Sequence, residues 1–225
     1  VSEGVYRSAH QGLRTRLAER VAARSRERRR ALLLRLLRPV RGEAVVDVGC
    51  GERGLAAAMP ELAVTGVDTV DRPGYPGARF VRADGRALPF AEGEFAIAHS
   101  NSVIEHVVDP GDRRRFANEL RRVGERYFVQ TPSRSFPVEP HALLPLVHLL
   151  PRRLGRRLWP LGVSDDPFEG TRLLGARELR ELFPDAVIVR ERVGPLTKSL
   201  VAAGPRGAVA TRRRGRGSRP GSSAA

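Results

Sequence analysis

The sequence is nearly without four residue types: Cys50 and Lys198 are the sole cysteine and lysine among 225 residues, and there is one Met and one Trp. A single cysteine excludes an intrachain disulfide framework and a structural zinc site made of cysteines alone. No apolar run approaches the ~18 residues of a membrane span, and the Arg-rich start lacks the apolar core of a signal peptide. The expected compartment is the cytoplasm, with contact at a membrane surface left open. Aromatic residues are scarce, at 5%, yet hydrophobic residues at 41% suffice for a buried core. The length suits one domain with short extensions.

What the chain has in excess is arginine. The net charge of +15 looks like a nucleic-acid signal until it is divided by segment. Residues 1–42 carry 12 Arg against Glu3, Glu19 and Glu27, and residues 205–225 carry 6 Arg and no acid, so residues 43–204 are neutral. Basic ends can hold nucleic acid or anionic lipid. Charge runs are also often just solvated, and the near-absence of lysine reads as codon bias rather than selected phosphate contacts. A nucleic-acid partner is not expected.

The organisation follows from texture. Residues 1–42 read as a basic helical extension, with helix over 11–38 as one long or two shorter pieces. From 44 onward short apolar runs alternate with polar segments. AVVDVG (44–49), LAVTGVD (62–68), ARFVRAD (78–84), EFAIAHS (94–100) and RYFVQT (126–131) read as buried strands. The segments between them suit helices, notably 112–123 with Phe116, Leu120 and Val123 on one face. That alternation predicts an α/β fold with a mostly parallel sheet. Residues 132–170 are broken by Pro too often for a regular helix and read as a lid-like insertion. Residues 175–183 read as an amphipathic helix, and 186–193 with 197–203 as a hairpin turning at Gly194–Pro195. Residues 205–225 read as a disordered basic tail.

The strongest local signal is VVDVGCGERG (45–54), a buried strand running through glycines into a helix, which lets a ligand approach backbone at the sheet's carboxyl edge. Gly49, Gly51 and Gly54 also fit a dinucleotide fingerprint. Asp47 separates the two readings, because a carboxylate there repels a pyrophosphate but can help hold a cationic amino group, directly or through water. Asp68 ends the second strand, where a carboxylate can accept both ribose hydroxyls. Asp84 ends the third, placed for an adenine amino group. Three acids at three successive strand ends suit a ligand with an amine, a ribose and a base but no phosphate, and S-adenosylmethionine is such a ligand.

On DVGCG (47–51), GVD (66–68), ADGRALPF (83–90) and FAIAHSNSVIEHV (95–107) the sequence resembles the class I S-adenosylmethionine-dependent methyltransferases, in the group typified by ubiquinone and menaquinone biosynthetic enzymes. The resemblance implies a Rossmann-like seven-stranded sheet whose last strand inserts antiparallel, over a domain at 43–204. It also implies that Gly49 and Gly51 line the methionine moiety, Asp68 the ribose, and Asp84 with Gly85 the adenine, with Asn101 beside the cofactor. Two positions depart from the family pattern: Arg53 stands where a third glycine is usual, with Gly54 one place late, and Ala96 replaces an aspartate.

Methyl transfer needs a nucleophile held in line, and a hydroxyl or amine acceptor also needs its proton removed. His106 is the candidate base, with Glu105 beside it; Glu139 and His141 in the insertion come next. Glu105 and His106 could also begin a metal site, but no third ligand follows at metal spacing, so no metal is expected. The leucines of 132–151, followed by Arg152, Arg153, Arg156, Arg157 and Trp159, suit a lid resting on a membrane interface. Residues 132–162 and the N-terminal helix are expected to cover the sheet's carboxyl edge. They would there form an acceptor pocket lined by Leu143, Leu144, Leu146, Val147 and Leu149. The expected partner is a small, hydrophobic, even lipid-like acceptor. Competing readings are an NAD(P)-dependent oxidoreductase, a nucleic-acid methyltransferase using the basic ends, and a non-catalytic cofactor-binding module.

Overall fold

The computed structural model describes residues 13–164 and 167–209. The start of the basic extension (1–12) and most of the basic tail (210–225) lie outside the described residues. A seven-stranded sheet forms the centre. In chain order the strands are β1 (Ala44–Val48), β2 (Ala63–Asp68), β3 (Arg79–Arg82), β4 (Phe95–Asn101) and β5 (Gly124–Pro132). A two-stranded ribbon follows, β6 (Val138–Glu139) with β7 (Leu144–Pro145), and then β8 (Val187–Val193) and β9 (Leu196–Gly204). The sheet order is β3-β2-β1-β4-β5-β9-β8. β1 to β5 run parallel, and β9 lies antiparallel between β5 and β8. The last strand therefore inserts as the resemblance implies.

Alternation along each strand sends its side chains to two separate cores. Val45, Val64, Ile97, Phe128 and Val201 face one side, where they meet Leu55 and Met59 and the end of α1 (Leu13–Leu37). Val46, Val48, Ala98, Tyr127 and Ala202 face the other, against α3 (Pro110–Val123) and the helix Ala176–Leu182. Helix α1 is a single helix, and its end is no appendage: Leu32, Leu33, Leu36 and Leu37 are buried at the i, i+3, i+4 spacing of one face. The folded chain also continues past Gly204. Val209 is buried, and Arg206 donates through Nε to the Ala186 carbonyl at 3.0 Å.

Helices do not fill every connection. A five-residue α2 (Gly54–Ala58) follows β1 and α3 follows β4, but 69–78 and 83–94 cross between strands without a helix. Pro73, Pro76 and Pro89, with Gly74, Gly77 and Gly93, break both segments. Where a helix does form, its signals are present. Asp109 caps α3 by accepting from the Asp112 amide at 2.9 Å, Pro110 occupies the first turn, and Phe116, Ala117, Leu120 and Val123 are buried. No described helix is long and apolar enough to cross a membrane.

The chain steps from β1 outward through β2 to β3, then returns to place β4 on the other side of β1. Strand order thus reverses between β1 and β4. In open parallel sheets a crevice opens beyond the carboxyl ends at such a reversal.

Candidate active site

A cavity of about 400 Å³ lies at that reversal, lined among others by Gly49, Asp68, Asp84, Gly85, Val103 and His106. Each strand end contributes: the glycine turn after β1, Asp68 at the end of β2, Asp84 and Gly85 after β3, and Ser102, Val103 and His106 to Val108 after β4. Gly49 has φ +76, and a Cβ there would stand 2.3 Å from the Val103 side chain, so the β1 and β4 loops meet across this glycine. Ser102 holds φ +56, uncommon for a residue with a side chain, and donates to Gln130 Oε1 at 2.9 Å. A second cavity, of about 350 Å³, lies between α1 and the β8–β9 hairpin. Its lining includes Arg28, Arg35, Arg190, Arg192 and Lys198, and it holds none of the predicted site residues.

Of the residues singled out in the sequence, Gly49, Asp68, Asp84, Gly85 and His106 line the first cavity, while Asp47, Gly51, Asn101 and Glu105 do not. Asp47 is placed differently from the expected contact with an amine. It is buried, its Oδ1 lies 2.7 Å from His99 Nδ1, and its Oδ2 accepts from the Leu55 amide at 2.7 Å. The carboxylate therefore caps α2 from below. The late glycine follows from this: a Cβ on Gly54 (φ +46) would sit 2.4 Å from Asp47 Oδ2. Gly51 contributes its amide, which donates to Asp68 Oδ2 at 3.1 Å. Asn101 turns toward α1, where its Oδ1 accepts from Arg29 at 2.8 Å.

The two predicted acids that line the cavity are both engaged. Asp68 accepts from the Val70 amide at 3.2 Å and from Arg72 Nε and Nη2 at 3.2 and 3.1 Å. Burial opposes its ionisation, but the Val70 amide and the Arg72 guanidinium outweigh that and hold its carboxyl below the usual range. Asp84 closes a turn onto the Arg86 amide at 2.8 Å and pairs with the Arg86 guanidinium, whose hydrogen bonds lower its carboxyl pKa. Arg86 also bonds Asp112.

On the β4 side a denser cluster forms. The short 3-10 turn Ile104–His106 points Glu105 into the protein and leaves His106 on the cavity. Glu105 is fully buried, accepts from Thr131 Oγ1 at 2.9 Å through Oε2, and has its carboxyl pushed up by that burial, against the pull of His106 and His141. His141 reaches this place from the turn between β6 and β7: its ring meets that of His106 edge-on at 5.0 Å, and its Nδ1 lies 2.7 Å from Glu139 Oε1. Glu139 also accepts from the Ala142 amide at 2.6 Å. His148, by contrast, bonds the Arg134 carbonyl through Nε2 at 3.0 Å.

The segment after β5 packs in part on itself. Ala142, Val147 and Trp159 make a small core, with Leu144, Leu158 and Phe168 packed against it. Leu146 and Leu149 are exposed, and none of Leu143, Leu144, Leu146, Val147 and Leu149 lines the cavity. The apolar cavity wall comes instead from Val103, Val107, Val108 and Phe116.

The family model described as a methyltransferase domain matches residues 18–186. The chain belongs to the methyltransferase-domain family. Curated relatives agree: an uncharacterized methyltransferase of Mycobacterium sp. (strain KMS) is 39% identical over 90 residues, covering 36% of this chain and 34% of that protein. A ubiquinone biosynthesis O-methyltransferase of Caulobacter vibrioides is 30% identical over 110 residues, covering 43% of this chain and 44% of that one. The matched stretch thus spans less than half the length of these relatives. Among solved structures, the PH0226 protein of Pyrococcus horikoshii superposes with a TM-score of 0.57 at 18% identity, over 80% of this methyltransferase-family chain and 89% of that one. That likeness shows the Rossmann-like fold.

Sequence reasoning missed Arg29, Arg72 and Arg86. Arg72 stood four residues after Asp68, a spacing that signals an ion pair only when the segment between turns. Arg29 lies in an Arg-rich run with nothing to distinguish it from Arg28 or Arg30.

Proposed function

We propose that the protein moves a methyl group from S-adenosylmethionine to a small, hydrophobic acceptor. The observation that carries this reading is the use made of the backbone amides at the glycine turn. A dinucleotide's pyrophosphate needs N–H groups at the turn and at the start of the following helix. Here the Leu55 amide is given to Asp47 and the Gly51 amide to Asp68. Carboxylates hold the places a phosphate would take, which argues against a nicotinamide cofactor.

The residues present suit a cofactor with hydroxyls and an amine. Asp68 would accept from the ribose, with Asp84 and the Gly85 backbone at the adenine and Gly49 along the methionine chain. Asp47 and Gly51 act behind them: Asp47 fixes the course of the turn, and Gly51 orients Asp68. When bound, the sulfonium supplies an activated methyl group. Val103, Val107 and Val108 give the cavity an apolar wall, and His106, with Glu105 behind it, would be a polar group facing the acceptor.

Calorimetric titration with S-adenosylmethionine and, separately, NADH tests the reading. Stoichiometric binding of the first and none of the second is expected; the reverse would overturn it.

A further inference from the structure

We propose that Glu105, His106 and His141 form a binding site for a divalent transition-metal ion, of the zinc or cobalt type, beside the cavity. Each offers one ligand atom, and these atoms all lie within 4.8 Å of one another. Around a tetrahedral ion with bonds of about 2.1 Å, ligand atoms sit roughly 3.4 Å apart. A closure of an ångström or so therefore brings the three into coordination.

Two further observations point to a cation. Glu105 is fully buried, and its Oε1 has no hydrogen-bond partner among the described residues, although its Oε2 is held by Thr131. A buried carboxylate oxygen left unpaired is costly and calls for an explanation, an ion being one. The second is the partnering of His141. Its Nδ1 lies against Glu139, itself buried and braced by the Ala142 amide. Histidines that ligate metals commonly give their other nitrogen to a carboxylate, which fixes the tautomer and ring orientation. Thr131 does the equivalent for Glu105.

The donor set selects the ion. Two imidazoles and one carboxylate suit zinc and its neighbours, whereas calcium and magnesium prefer more oxygen ligands. Three protein ligands also leave at least one position open. Because His106 lines the cavity, that position is available to an oxygen of the acceptor, a hydroxyl or phenol whose pKa the cation would lower. His106 then serves as ligand rather than as base. Only this acceptor role rests on the methyltransferase reading; the metal site stands on its own geometry.

The test uses the full chain, freed of metal by a chelator and dialysed. Calorimetry with Zn2+ should give one ion per chain, and Co2+ should give the strong visible bands of low-coordinate nitrogen and oxygen ligation. Glu105→Gln and His141→Asn should each weaken Zn2+ binding by about tenfold or more. Glu139→Gln, which touches no metal, should weaken it by about tenfold, and His148→Asn should leave it unchanged. Substoichiometric Zn2+, or affinity unchanged in both Glu105→Gln and His141→Asn, overturns the site. If those variants do not fold, the wild-type Co2+ spectrum decides: bands of the hydrated ion alone overturn it. S-adenosylhomocysteine titrated in parallel separates the claims. Zn2+ binding without it leaves the site standing and removes the cofactor reading, and the converse removes the site alone.

Discussion

His99 Nδ1 and Asp47 Oδ1 lie 2.7 Å apart on neighbouring strands, paired in register in the middle of the sheet. Both residues are buried, and the second oxygen of Asp47 holds the Leu55 amide. One carboxylate thus joins β1, β4 and the start of α2, and the glycine turn is shaped by it. Asp47→Ala would leave two buried donors without an acceptor, each costing roughly 1–3 kcal/mol. Urea unfolding should show a loss of about 2–6 kcal/mol, and a loss within experimental error would mean that the pair contributes nothing.

Gly54 and Gly93 separate two effects. Both have positive φ, but a Cβ on Gly93 meets nothing within 4 Å, whereas on Gly54 it meets Asp47 Oδ2. Gly93→Ala should cost only the backbone term, about 1–2 kcal/mol. Gly54→Ala should cost clearly more, because the carboxylate has to move as well. Equal melting temperatures for the two variants would contradict the account of the late glycine.

The Cys50 thiol is pushed up to about 12, chiefly by burial and further by the Asp47 and Asp68 charges. A thiol in an unfolded chain titrates near 8.5. The folded state therefore favours the neutral form, and its contribution is complete below about pH 8.5 and lost as pH rises toward 12. Stability should begin to fall between roughly pH 8.5 and 10, before the raised phenols of Tyr75 and Tyr127 take part. Cys50→Ala should flatten that slope in denaturation curves, and Cys50 in the native protein should resist alkylation at pH 8. Rapid native alkylation would contradict the burial of the thiol.

Arg72 competes for the carboxylate assigned to the ribose. Its guanidinium donates two hydrogen bonds to Asp68 Oδ2. If ribose hydroxyls are to use that oxygen, Arg72 has to give way. Arg72→Ala should then tighten S-adenosylhomocysteine binding several-fold at a small cost in stability. Weaker binding in this variant would show that Arg72 helps to hold the ligand.

The framework was readable because apolar runs mark each parallel strand, and the Gly194–Pro195 turn marks the terminal hairpin. That Asp68, Asp84 and His106 share one cavity was readable because segments at a sheet's carboxyl edge face one crevice. The internal role of Asp47 was not, since its partner His99 lies 52 residues away and either residue alone fits a ligand role as well. His141, in the turn between β6 and β7, is separated from His106 by α3, β5 and β6, so no spacing rule could join them. The lid leucines misled for a related reason: an apolar segment broken by Pro can pack on itself around Trp159 as readily as around a ligand.

The most direct measurement is the affinity of S-adenosylhomocysteine for the wild-type protein and for Asp68→Ala. Hydrogen bonds to an ionised carboxylate are worth roughly 1.5–3 kcal/mol, so the account predicts 1:1 binding by the wild type. It predicts a loss of about ten- to a hundredfold in the variant, with the fold intact by circular dichroism. Binding of equal strength in both proteins, or none in the wild type, would contradict it.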